Sequence, residues 1–146
     1  MFIIRHILEV KGDDVWSVSP DTSVFDALRI MADKDVGVLM VMEGNHLTGV
    51  VSERDYARKI ILKGKTSKGT PVRDIMSSPV ITIHPDQTID EAMYLMNARG
   101  IRHLPVVLDD EVLGVISIRD VLRAIIYRQR QKLKEMEDRV IGQPGG

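Results

Sequence analysis

Apolar and polar positions change their period several times along the chain, and the changes recur in the same order 65 residues later. Residues 15–18 alternate like a short strand. After Pro20, Asp21 or Thr22 stands where it can cap a helix whose Val24, Ala27, Leu28 and Met31 share one face. Two alternating runs follow, 38–42 and 47–51, joined as a hairpin across Glu43-Gly44-Asn45-His46, and a further helix opens near Glu53. The second passage runs likewise. Residues 80–83 form the strand, Asp86 or Thr88 opens a helix with Ile89, Ala92, Met93 and Met96 on one face, and Gly100 stops it. A hairpin of 104–108 and 112–116 crosses Asp109-Asp110-Glu111, and a closing helix begins near Ile118.

The chain is therefore an internal duplication. Val15-Trp16-Ser17-Val18-Ser19-Pro20-Asp21 lies over Val80-Ile81-Thr82-Ile83-His84-Pro85-Asp86, and Gly49-Val50-Val51-Ser52-Glu53-Arg54-Asp55 over Gly114-Val115-Ile116-Ser117-Ile118-Arg119-Asp120. The expected fold is α/β (α+β): two β-α-β-β-α repeats, related by a pseudo-twofold, spanning 15–63 and 80–127. A leader helix lies in 1–14, a polar, Gly-bearing linker in 64–79 and a helical tail in 128–146. Each repeat is small for a core of its own, which predicts that the two bury their apolar faces against each other. In the tail, Leu122, Ile126, Gln129, Leu133, Met136 and Val140 follow a 4-3-4-3-4 spacing, a heptad seam calling for a partner surface. A homodimer is the expected partner; the alternatives are a tail folded back on its own domain and a leader helix packed on the seam.

Composition narrows the chemistry. Twenty Lys and Arg against twenty-one Asp and Glu leave a formal charge of −1, so there is no general basic field for nucleic acid or anionic lipid. The absence of cysteine rules out disulfides, thiolate metal sites and thiol nucleophiles. No apolar run is long enough to span a bilayer and the first residues lack the core of a secretory signal, so a cytoplasmic location is expected. Gly64-Lys65-Thr66 imitates the end of a P-loop, but Lys59 stands where the first glycine is needed. His6, His46, His84 and His103 lack metal-site spacing, and no Gly-x-Ser-x-Gly elbow is present. We expect no catalytic residue, catalytic cofactor or metal.

The repeated heptapeptide suits a nucleoside. Its glycine would uncover the strand end for a flat ring, with Val50 or Val115 offering apolar surface. Ser52 or Ser117 can cap the next helix, whose free N–H groups and dipole favour a phosphate. Asp55 or Asp120 can accept hydrogen bonds from both hydroxyls of a ribose. The alternative is that serine caps the helix and aspartate merely favours its first turn.

The doubled β-α-β-β-α unit with Gly-hydrophobic-hydrophobic-Ser-x-x-Asp at each third strand resembles a tandem cystathionine-β-synthase (CBS) domain pair, or Bateman module, of the small stand-alone bacterial and archaeal type. The resemblance covers about residues 5–127 and implies a disk with two clefts for adenosine compounds. It also implies that Arg102, His103 and the residue before each motif aspartate face the centre of the disk. Asp55 would then hold a ribose with Arg102, His103 and Arg119 on its phosphate, while Asp120 would have Arg54 but only Gly37 and Val38 at the other two positions. The backbone of residues 17–19 and 82–84, with Ser17, Val18, Thr82 and Ile83, would flank the adenine. The function implied is a regulatory, energy- or redox-sensing module that binds AMP first, or ADP, ATP or NAD(H), and signals to an unidentified protein by changing shape. S-adenosylmethionine binding, nucleic-acid binding and a small nucleotide-processing enzyme are the alternatives.

Overall fold

The computed structural model describes residues 2–141. Its order is α1 (Ile4–Lys11), β1 (Ser17–Val18), α2 (Val24–Lys34), β2 (Val38–Glu43), β3 (His46–Ser52), α3 (Glu53–Tyr56, running on as a π-helical turn over Ala57–Ile61), α4 (Ile89–Arg99), β4 (His103–Leu108), β5 (Glu111–Ser117) and α5 (Ile118–Ile141). Both predicted hairpins form, each with a register shift at the same place, between Val41 and Met42 and between Val106 and Val107. β1 adds to the first hairpin in parallel, Ser17 opposite Met40. Its counterpart in repeat two is reduced to a single bridge between Ile83 and Val106.

Local chemistry explains the ends of the elements. α2 is capped by Ser23, whose Oγ accepts the Asp26 N–H at 3.1 Å, and not by Asp21 or Thr22. α4 is capped by Thr88, which accepts the Glu91 N–H at 3.1 Å. It stops at Gly100, left-handed at φ 62°, a conformation that glycine adopts without strain.

The core departs from the expectation of one shared apolar face. Two clusters form, one per repeat, because each sheet buries one face beneath its own helices. Val24, Ala27, Met31, Leu39, Val41 and Val51 centre the first; Ile89, Ala92, Met96, Leu104, Val106 and Ile116 centre the second. The repeats are tied instead by exchanging their opening segments. Ile4 and Ile7 of α1 are buried in the cluster of repeat two, whereas Val72 and Ile75 are buried in that of repeat one. Ile7 and Val72 are 65 residues apart, so these segments are equivalent. Full burial of such side chains contributes about 1.5–3 kcal/mol each, enough to fasten the two units together.

α5 shows two faces. Val121 is fully buried, Ala124 and Ile125 pack against the same cluster, and Arg128 grips Asp90 of α4 at 3.0 and 3.1 Å. The seam faces away: Leu122, Ile126, Leu133, Met136 and Val140 are all exposed. α1 does not cover it, being seated in repeat two with Phe2 edge-on to Tyr127. No helix among the described residues is long and apolar enough to cross a membrane.

Candidate functional site

Each heptapeptide ends as β3 or β5 turns into a helix, and the two ends are built alike. The Ser52 N–H donates to Asp55 Oδ2 at 2.9 Å, the Ser52 hydroxyl donates to the same oxygen at 3.0 Å, and Ser52 Oγ accepts the Asp55 N–H at 3.1 Å. Ser117 and Asp120 repeat this at 2.8, 3.0 and 3.2 Å. Serine and aspartate thus cap the helix reciprocally, which fixes both side chains at the mouth of a cleft.

The clefts lie where the repeats meet. One, of about 410 Å³, is walled by Val50, Ser52, Arg54, Asp55 and Arg58 of repeat one and by Ser77, Val80, Ile81, Arg102, His103 and Pro105. The other, of about 620 Å³, is walled by Val115, Ser117, Arg119 and Asp120 of repeat two and by Lys11, Asp14, Trp16, Asp35 and Met40. Gly37, Val38, Arg102 and His103 line both. Either volume suits a small-molecule site.

Three placements differ from the expectation. Arg119 walls the Asp120 cleft and Arg54 the Asp55 cleft. Ser17, Val18, Thr82 and Ile83 are outside both clefts. Val18 and Ile83 point into the cores, Ser17 faces a hollow between the hairpins, and Thr82 is exposed. The backbone of Ile83 is already used, donating to Pro105 O at 3.0 Å and accepting the Val107 N–H at 2.9 Å. The walls come from just upstream instead, Trp16 on one side and Val80 with Ile81 on the other. Lastly, the motif glycines admit side chains, not a ring. A Cβ on Gly49 would stand 2.5 Å from the Met76 sulfur, and one on Gly114 2.7 Å from Leu8. The exchanged segments pack through these gaps.

The cleft charges differ. Around Asp55 stand Arg54, Arg58 and Arg102, three cations to one carboxylate; around Asp120 stand Lys11, Arg102 and Arg119 facing Asp14, Asp35 and Asp120 itself. Burial, followed by the Lys11 charge, holds the His103 imidazole below its ordinary value; Asp120 pulls it back up and Arg102 lowers it again. Burial opposes ionisation of Asp120, yet the Lys11 ammonium and the Ser117 N–H and hydroxyl outweigh it, so its carboxyl titrates below the usual range.

A model of the CBS domain matches residues 7–62 and again 72–127. The chain belongs to the CBS-domain family, as a tandem pair. A CBS domain-containing protein of Arabidopsis thaliana, CBSX3, named as mitochondrial, is 40% identical over 95% of this chain and 72% of its own length. A solved CBS-domain protein from Burkholderia ambifaria superposes with a TM-score of 0.83 at 38% identity, covering 87% of this chain and 96% of that one. The CBS pair of protein MJ0100, solved with 5′-methylthioadenosine and S-adenosyl-L-methionine, superposes with a TM-score of 0.78 at 23% identity, covering 88% and 98%. CBS pairs are regulatory modules that often bind ligands.

Within this CBS pair, sequence reasoning missed Arg58, Lys11, Asp14, Trp16 and Asp35 as cleft residues. Arg58 was detectable, since it is one helical turn beyond Arg54 and so shares its face. Lys11 and Trp16 were not, because nothing local shows that the opening of one repeat packs on the other. The Trp16 ring, with the Lys34 ammonium 4.4 Å from its centroid, forms an aromatic wall of the Asp120 cleft.

Proposed function

We propose that this CBS pair binds an adenine nucleotide in the Asp55 cleft and passes its occupancy to a partner protein, without catalysis of its own. The observation that carries the reading is a pre-set carboxylate at one end of a cleft whose remaining charge is three guanidinium groups. Asp55 would accept the ribose hydroxyls, Val50, Val80 and Ile81 would give apolar surface to the base, and Arg54, Arg58 and Arg102 would hold the phosphate. AMP is the first candidate, with ADP, ATP and NAD(H) sharing its chemistry, which would make the module an energy or redox sensor. An adenosyl compound that carries cationic groups as well as a carboxylate, such as S-adenosylmethionine, suits the charge-balanced Asp120 cleft better than the cationic one. The module would work in the cytoplasm as a homodimer held at the α5 seam. Because Arg102 and His103 wall both clefts, a phosphate drawing them to one side alters the other, giving ligand-dependent states for a partner to read.

Arg102→Ala is expected to weaken AMP at least tenfold while changing adenosine little, since only AMP presents an anion to the guanidinium. Titration calorimetry with both ligands decides it. Equal losses would remove the phosphate role, and adenosine binding as tightly as AMP to the unaltered protein would favour the adenosyl reading.

His103 adds a pH dependence. Its depressed value leaves it neutral near pH 7, and a phosphate beside it favours the charged form, so binding should take up a proton. AMP affinity is therefore expected to rise as pH falls from about 8 to about 6.5, a range in which AMP stays mostly dianionic. Calorimetry in buffers of different ionisation enthalpy measures the uptake. His103→Gln should abolish it; uptake unchanged in that variant would place the proton elsewhere.

A further inference from the structure

The two clefts are equivalent by descent, yet only one of them has a lysine in its wall that reaches the capped oxygen of its aspartate. Lys11 Nζ donates to Asp120 Oδ2 at 2.7 Å and to the Val115 carbonyl at 2.6 Å. The same Oδ2 accepts the Ser117 N–H and hydroxyl, so three donors converge on one oxygen of a side chain that is only 12% exposed. The ammonium is held there by packing: Lys11 ends α1, whose Ile4 and Ile7 are buried in repeat two and whose Leu8 presses on Gly114.

The Asp55 cleft lacks this arrangement. Met76, 65 residues beyond Lys11 in sequence, packs on Gly49 as Leu8 does on Gly114, carries no charge and does not line the cleft. Lys59 does pair with Asp55, but more loosely, at 3.4 Å from the other oxygen, Oδ1, while donating to the Ile75 carbonyl at 2.8 Å. It is not part of the cleft wall, whereas Lys11 is.

We infer that Lys11 is a built-in occupant of the ribose seat beside Asp120 and is the residue that sets what this cleft accepts. The inference rests on reading the motif aspartate as a ribose acceptor. Two ribose hydroxyls on the carboxylate need both of its oxygens, so the ammonium must leave Oδ2 first. An uncharged nucleoside gives the displaced ammonium nothing in return, and the cleft rejects it. A single position thus makes two duplicated sites unequal.

The test uses the full chain carrying Asp55→Ala, so that only the Asp120 cleft is read, with adenosine as the probe. Lys11→Met, which removes the ammonium and keeps a long, unbranched side chain, is expected to tighten adenosine binding about tenfold or more, the scale of one charge-assisted hydrogen bond. Lys11→Gln should act in the same direction and covers a folding failure of the first variant. Equal or weaker binding in the folded variants overturns the inference. A ligand-free arm follows the Asp120 carboxyl carbon by NMR: its titration midpoint should move up in Lys11→Met, and an unmoved midpoint also overturns it. If the midpoint moves but adenosine binds to none of these proteins, Asp120 is no ribose seat and the inference fails with it. The reading of the Asp55 cleft is untouched by that result.

Discussion

Asp55→Ala is expected to weaken AMP by more than a hundredfold. Two hydrogen bonds from ribose to a carboxylate are lost together, each worth about 1.5–3 kcal/mol, and a tenfold change in affinity corresponds to about 1.4 kcal/mol. The substitution also removes a cap, because Asp55 Oδ2 accepts the Ser52 N–H. About 1 kcal/mol of stability should therefore go as well. The two effects separate with 2′-deoxy-AMP. The unaltered protein should prefer AMP to its deoxy analogue, and Asp55→Ala should not discriminate between them. Ser52→Ala should lower the melting temperature by a similar amount while keeping the preference. A preference that persists in Asp55→Ala would leave the aspartate with its capping role alone.

Deleting residues from Gln129 onward is expected to break or greatly weaken self-association. Leu133, Met136 and Val140 are lost, exposed by 60%, 61% and 77% in the protomer. Each contributes about 1.5–3 kcal/mol when fully buried in a partner seam. The cut spares the inward face of α5, including the Arg128 contact with Asp90, so the clefts should still bind AMP. Sedimentation equilibrium of the truncated and full-length chains measures the change. An unchanged constant would assign the interface to other faces of the module, and a monomeric full-length chain would reserve the seam for a different protein.

What the sequence made legible was whatever repeats or has a period. The duplication, both hairpins, α4 with its Gly100 stop and the exposed heptad seam follow from spacing alone, because strand and helix periods are local properties. The errors fall where tertiary packing decides. Gly49 and Gly114 looked like openings for a ligand, yet they admit Met76 and Leu8, side chains distant in sequence. Ile4 and Ile7 gave α1 an apolar face without saying which repeat it would meet. The exchange of opening segments brings Lys11 to Asp120, and no periodicity encodes that exchange. Arg54 and Arg119 were assigned across the module by resemblance, whereas each lines the cleft of its own motif aspartate. Ile83 shows the limit of reading strands as ligand walls, since its backbone groups are already spent on β4.

A crystal structure of the full chain with AMP decides between the two clefts. The ribose hydroxyls should lie on the Asp55 carboxylate and the phosphate within hydrogen-bond reach of Arg102, with Arg54 or Arg58 beside it. AMP seated at Asp120 with the Asp55 cleft empty, or absent from both clefts at saturating concentration, would contradict it.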